Sequence, residues 1–148
     1  MPTRADIIVS GEYDSDWQLV VEVKAEGDIP TAETQLRRYP QDSNCPLGLL
    51  VTPSDIRLFR DTYVSAGPDS ITRVAVHPLP DELRPKTMTE VQFERAVQRW
   101  LERLAVSGTA IVEDNDLAAT LGEYVVPVLR EGNIGAGSPR WVREAQAE

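Results

Sequence analysis

The chain has 148 residues, a length that suits one domain built around a single hydrophobic core. Hydrophobic residues make up 41% of it and charged residues 26%, which is typical of a soluble globular protein. It carries 24 acidic and 15 basic residues, and the resulting formal charge of −9 argues against binding of polyanions through an overall positive surface.

Several other classes of protein are disfavoured by counts and runs of residues. Cys45 is the only cysteine, which excludes an internal disulfide and fits a reducing cytoplasm. One cysteine and one histidine are too few for a Cys/His zinc site. No apolar run approaches the roughly 18 residues of a membrane span, and the first ten residues lack the pattern of a secretory signal. We therefore expect a cytoplasmic protein without a membrane segment.

The first half of the chain predicts a mixed α/β sheet. Alternating or continuous apolar runs predict five strands, over residues 5–10, 17–25, 47–53, 55–63 and 72–79. A helix over 31–39, opened by Pro30 or Thr31 and stopped by Pro40, connects the second strand to the third. The short turn before residue 55 predicts that strands three and four pair as a hairpin.

The second half predicts helices. Residues 87–108 combine a threonine-led capping box, apolar residues at helical spacing and a terminal glycine, Gly108. A further helix follows an Asn/Asp cap, is disturbed by Pro127 and ends at Gly132. We assign residues 1–132 to one domain, with core motifs over 4–61 and C-terminal helices over 87–132. Residues 133–148 are assigned to a linker and tail.

Two opposite charges interrupt the apolar second strand. Glu22 and Lys24 are two residues apart and therefore project from the same face of the strand. Asp6 lies near the start of the first strand, which can pair with the second across the turn between them. The pairing would bring Asp6, Glu22 and Lys24 together at one point of the sheet.

These residues have the chemistry of a magnesium site. Two carboxylates and the carbonyl oxygen of Val23 are the hard oxygen ligands that Mg²⁺ prefers. The ion would neutralise charge on a phosphodiester and lower the pKa of a bound water, while Lys24 would orient or help deprotonate that water, or stabilise the transition state. The alternative is a pair of surface charges on an edge strand. The valines around Glu22 favour a central strand, where an unpaired charge would be costly.

Asp6 followed by Glu22-Val23-Lys24 resembles the signature of the PD-(D/E)XK nuclease superfamily, whose fold is shared by many restriction endonucleases. The order strand, strand, helix, strand is similar as well. Gln35 and Tyr39 look like the Gln-x-x-x-Tyr motif of the exonuclease-like branch. Over residues 4–61 the chain is similar to the N-terminal nuclease domains of type I restriction enzymes.

The resemblance implies a restriction-endonuclease-like α/β fold, with a mixed central sheet flanked by helices. It also implies a Mg²⁺-dependent endodeoxyribonuclease in which Mn²⁺ can substitute. Asp6, Glu22 and Val23 would hold the metal, and Asp6, Glu22, Lys24, Gln35 and Tyr39 would be the catalytic set. DNA is the expected partner, together with a second copy of the chain or a partner protein subunit, in a restriction or defence-type system.

Two departures from the family leave an alternative open. Ala5 stands where the superfamily name has proline, and the residues before Asp6 are too few for the helix that usually precedes the aspartate strand. A C-terminal helix could take that place, a partner chain could supply it, or the sequence could be a fragment. The alternative function is a non-catalytic protein-interaction module on a degenerate or truncated nuclease fold.

Overall fold

The central feature is a six-stranded mixed sheet. The computed structural model describes residues 6–11, 17–24, 30–34, 36, 45–62, 70–84 and 89–136. Within these ranges the strands are β1 (Ile7–Ser10), β2 (Trp17–Val23), β3 (Leu47–Val51), β4 (Asp55–Asp61), β5 (Ile71–Pro78) and β6 (Asn133–Ala136). Their order across the sheet is β5-β4-β3-β2-β1-β6. Strands β2 and β3 are parallel and all other neighbours are antiparallel.

The helices lie on both sides of this sheet. Residues 30–34 and 36 belong to the first helix, α1, and the others are α2 (Glu90–Ser107), α3 (Asn115–Thr120) and α4 (Val126–Glu131). A widened π turn, Leu121–Val125, joins α3 to α4. Pro127 explains it, because proline has no N–H to donate and its ring clashes with the carbonyl four residues earlier. The predicted disturbance of this helix is confirmed. None of the helices within the described ranges is long and apolar enough to cross a membrane.

Two apolar layers cover the two faces of the sheet. One layer joins β-strand residues such as Val21, Val23 and Leu49 to α2, which contributes Phe93, Val97, Trp100, Leu101 and Leu104. The other layer joins Val20, Leu50 and Phe59 to Ala32 and Leu36 of α1. Since β2 sends residues into both layers, it is a central strand buried on both faces, as its valine-rich sequence predicts.

Helix α2 begins and ends where its sequence signals predict. The Thr89 hydroxyl accepts a hydrogen bond from the Gln92 amide at 3.2 Å, and the Gln92 side chain accepts one from the Thr89 amide at 2.9 Å. This capping box provides acceptors for two amides that have no hydrogen-bond partner within the first turn of the helix. The helix ends at Gly108, whose φ of 67° is a conformation that glycine adopts without strain. The prediction of Trp100 as a core residue is confirmed, because its side chain is fully buried.

An ion pair ties α1 to the sheet. The Arg57 guanidinium on β4 binds the Glu33 carboxylate on α1 and also Asp55 at 3.1 Å. The hydrogen bond to Asp55 raises the pKa of Arg57, with a further contribution from Glu33, against the lowering effect of burial. A raised pKa on a cation adds stability that is lost only when the pH rises through that pKa. The pair therefore keeps its cation at every ordinary pH.

The predicted strand order and connections are confirmed, with small shifts of boundary. Strands β3 and β4 form the antiparallel hairpin, and the α1 crossover joins parallel β2 and β3. Strand β2 ends at Val23 rather than at residue 25, and β3 ends at Val51 rather than at residue 53. Residues 37–39 of the predicted first helix lie outside the described part of the chain.

The assignment of residues 133–148 to a linker and tail is wrong for its first four residues. Asn133–Ala136 form β6, which pairs antiparallel with β1 over its whole length. This short segment has little intrinsic strand preference, because two of its four residues are Asn133 and Gly135. Its conformation is set by the open edge of β1, whose amides and carbonyls it satisfies. Residues 137–148 lie outside the described ranges.

Candidate metal and catalytic site

Glu22 lies near the carboxyl end of β2, inside the sheet. It pairs with Leu50 across the parallel ladder, and its neighbours Val21 and Val23 point into the α2 layer. Strand alternation therefore directs Glu22 to the opposite face, the side that α1 covers. Only 6% of Glu22 is exposed, so its carboxylate is withdrawn from solvent. The reading of Glu22 as a surface charge on an edge strand is wrong.

Asp6 lies immediately before β1, beside the same end of β2. Ile7 pairs with Val21, so that Asp6 lies one residue beyond the paired ladder, on the side of Glu22. Its Oδ2 accepts a hydrogen bond from the amide of Val23 at 2.8 Å. The carboxylate thus acts as the acceptor that a backbone carbonyl of a longer β1 would supply. It satisfies the amide of Val23, which lies beyond the end of the β1 ladder. Asp6 is 9% exposed, which gives the site a second buried carboxylate.

Lys24 follows β2 directly and remains in line with it. Its amide donates to the Val51 carbonyl at 2.9 Å, which extends the contact with β3 by one residue. Lys24 is half-buried and lies two positions beyond Glu22, where its amide still continues the ladder with β3. Such spacing directs the two side chains to the same face. The predicted gathering of Asp6, Glu22 and Lys24 at one end of β2 is thus consistent with the backbone placement of all three.

The remaining predicted residues fall on α1. Gln35 and Tyr39 lie outside the described residues. Their neighbours Ala32 and Leu36 pack against the sheet face that also carries Glu22, so α1 itself lies on the side of the sheet that the prediction requires.

The donor atoms at this end of β2 fit a hard divalent cation. Two buried carboxylates and the carbonyl of Val23 are oxygen donors of the kind that Mg²⁺ and Mn²⁺ accept. Within the described ranges, no cluster of three or more His, Cys, Asp or Glu side chains is placed to hold a metal ion. Asp6 and Glu22 supply two such side chains, and the third predicted ligand is a backbone carbonyl.

Arg57 belongs to the same row of the sheet and was not predicted as part of this region. Leu50 pairs with Glu22 on one side and with Arg57 on the other, so the three side chains share one face. The available signal was a charged residue between buried Ile56 and Leu58, the same signal that marks Glu22. Because Arg57 is engaged by Glu33 and Asp55, its role is to hold α1 over this face.

Comparisons with known proteins identify no relative of this chain. The chain matches no protein-family model, no curated protein and no solved structure at a significant level.

Proposed function

We propose that the protein is a metal-dependent nuclease that hydrolyses phosphodiester bonds in DNA, with a restriction-endonuclease-like arrangement of its sheet. The observation that supports this most strongly is the pair of buried carboxylates, Asp6 and Glu22, at one end of a central strand. Burying two like charges is costly unless a cation or a hydrogen-bond network compensates them. Of these two ways to offset the buried charge, a divalent cation is the one that would also contribute to catalysis.

Each residue of the site has a definite task in this proposal. Asp6 and Glu22 would hold the metal together with the Val23 carbonyl. The Val23 amide donates to Oδ2 of Asp6 and so orients that carboxylate. Lys24 would orient the attacking water or stabilise the charge that develops on the phosphate. Gln35 and Tyr39 would support the site from α1. When bound, Mg²⁺ supplies an activated water and neutralises phosphate charge.

A non-catalytic interaction module is the second candidate, and one contact favours it. Asp6 caps the end of β2 through the Val23 amide, which is a structural task sufficient to explain a buried aspartate. This candidate predicts that the chain binds neither Mg²⁺ nor Mn²⁺ and cleaves no DNA. The formal charge of −9 is compatible with a protein partner for either candidate.

Cleavage of single- and double-stranded DNA, with Mg²⁺ or Mn²⁺, tests the nuclease directly. We expect Lys24→Met to lower the cleavage rate at least about a hundredfold, the scale on which a group that stabilises transition-state charge acts. Lys86→Met is the matched control, because Lys86 is the only other lysine of the sequence. Cleavage that survives both Lys24→Met and Asp6→Ala unchanged would defeat the proposal and indicate a contaminating enzyme.

A further inference from the structure

A series of polar contacts runs from the turn between β3 and β4 to helix α1. Thr52, buried at the turn, donates its hydroxyl to Oδ1 of Asp55 at 3.0 Å. Asp55 in turn accepts from Arg57 through both oxygens, from Nε at 3.1 Å and from Nη2 at 3.2 Å. The remaining Nη1 of Arg57 donates to the Glu33 carboxylate on α1. Because three nitrogens of one guanidinium bind two carboxylates, Arg57 is held in one orientation.

A close packing contact fixes α1 at a second point, about one helical turn from Glu33. A Cβ added at Gly48 would lie 3.3 Å from Cγ of Leu36, so the helix approaches β3 at a place where a side chain would crowd it. Leu36 follows Glu33 by three residues, which places both side chains on one side of the helix. The two contacts together fix the height of α1 above the sheet and its position along the strands.

Glu22 lies in the part of this sheet face that α1 covers. It shares a row of the sheet with Leu50 and Arg57. Its two neighbours on the face, Val20 along β2 and Leu50 across the ladder, are fully buried in the apolar layer beneath α1. Two inter-strand spacings, about 10 Å, separate the backbones of Glu22 and Arg57. The position of α1 therefore determines how closely the Glu22 carboxylate is enclosed.

We propose that Arg57 and Glu33 are positioning residues of the candidate metal site. Their ion pair holds α1 at the distance from β2 at which Glu22 and Asp6 can share one divalent cation. Arg57 acts through Glu33, and Glu33 acts through the position of the helix, so neither residue contacts the metal or the substrate. Since the metal belongs to the proposed function, this role of the ion pair rests on that function.

The sign of the effect separates positioning from simple electrostatics. Arg57 is a cation about 10 Å along the sheet from Glu22, so removing its charge alone would strengthen the binding of a divalent cation. If Arg57 positions α1, its removal weakens that binding instead, because the helix is released from the row of the sheet that carries Glu22.

Calorimetric titration with Mn²⁺ measures this effect without a DNA substrate. We expect Arg57→Gln and Glu33→Gln each to raise the Mn²⁺ dissociation constant of the folded protein about tenfold, the lower end of the range for residues that orient metal ligands. The double variant should bind as either single variant does, because both substitutions break the same contact. Arg103→Gln is the matched control. It removes the ion pair of Arg103 with Glu82, at 3.3 Å, on the side of the sheet that carries α2, and it should bind as the wild type does.

Urea unfolding of the same samples gives the folded fraction to which each dissociation constant refers. If Arg57→Gln does not fold, the milder Glu33→Gln, which leaves Arg57 bound to Asp55, carries the test, and wild-type binding by it overturns the proposal. Binding by folded Arg57→Gln that is as tight as in the wild type, or tighter, overturns it too. So do additive effects in the double variant, or a similar loss of binding in Arg103→Gln.

Failure of the positioning role can be told apart from failure of the proposed function. A wild-type protein that binds no Mn²⁺ defeats both. Wild-type binding that Glu22→Gln abolishes and Arg57→Gln leaves intact defeats only the positioning role, and the candidate metal site stands.

Discussion

Asp6 has two tasks that a single substitution would confuse. Its Oδ2 satisfies the buried amide of Val23, and the proposed function also requires its negative charge. The first task needs only an acceptor oxygen, whereas the second needs an anion. Asparagine keeps an oxygen of nearly the same position and removes the charge, while alanine removes both. The pair of variants therefore separates the strand-capping role from the metal-binding role.

We expect Asp6→Ala to lower the free energy of unfolding by about 1–3 kcal/mol, because a buried amide loses its acceptor. Asp6→Asn should cost less than about 1 kcal/mol and yet abolish metal-dependent cleavage. Urea unfolding and the DNA cleavage assay measure the two effects on the same preparations. Glu123→Gln, which changes an exposed carboxylate, is the control for both. Cleavage by Asp6→Asn at the wild-type rate would show that Asp6 has only the structural task of accepting from the Val23 amide.

At the scale of elements, β6 depends on close contact with β1. A Cβ added at Gly132 would lie 2.7 Å from the Ser10 carbonyl oxygen and 2.7 Å from Val9 Cγ1. The chain therefore passes β1 more closely than any other residue type permits. At Gly135, within β6, an added Cβ meets nothing within 4 Å.

Gly132→Ala should consequently destabilise the protein by about 1–3 kcal/mol, as overpacking against backbone does. Gly135→Ala, the matched control in the same segment, should change the free energy of unfolding by less than about 0.5 kcal/mol. Thermal or urea unfolding of both variants measures the difference. Equal effects of the two substitutions would contradict the close docking of β6 on β1.

The elements with strong local patterns could be predicted from the sequence, and β6 could not. Strand β2 carries a continuous apolar run, and α2 carries a capping box, a helical apolar stripe and a terminal glycine. Strand β6 has only four residues, of which Ile134 and Ala136 are apolar, and its conformation comes from an edge of β1 more than 100 residues earlier in the chain. Such a contact leaves no periodic signal.

The candidate site could likewise be predicted from the sequence only in part. Strand alternation and the predicted pairing of β1 with β2 were sufficient to group Asp6 with Glu22 and Lys24. The bond from the Val23 amide to Asp6 could not be predicted, since it depends on where the β1 ladder ends and on one side-chain rotamer.

For the whole molecule, the formal charge of −9 constrains how the proposed nuclease would bind its substrate. DNA would be repelled by the overall field, most strongly at low ionic strength. A divalent cation held by Asp6 and Glu22 would offset this repulsion where the phosphate must approach, and a second subunit would provide further contacts. Metal binding is therefore the step on which the proposed function depends.

Calorimetric titration with Mn²⁺ tests that step most directly, because it requires no knowledge of the substrate. We expect the wild-type protein to show saturable Mn²⁺ binding that Glu22→Gln abolishes and Glu123→Gln leaves unchanged. Urea unfolding of the same samples verifies that the variants are folded. Absence of saturable binding in the wild type, or binding that persists in Glu22→Gln, would contradict the assignment of Asp6 and Glu22 as metal ligands.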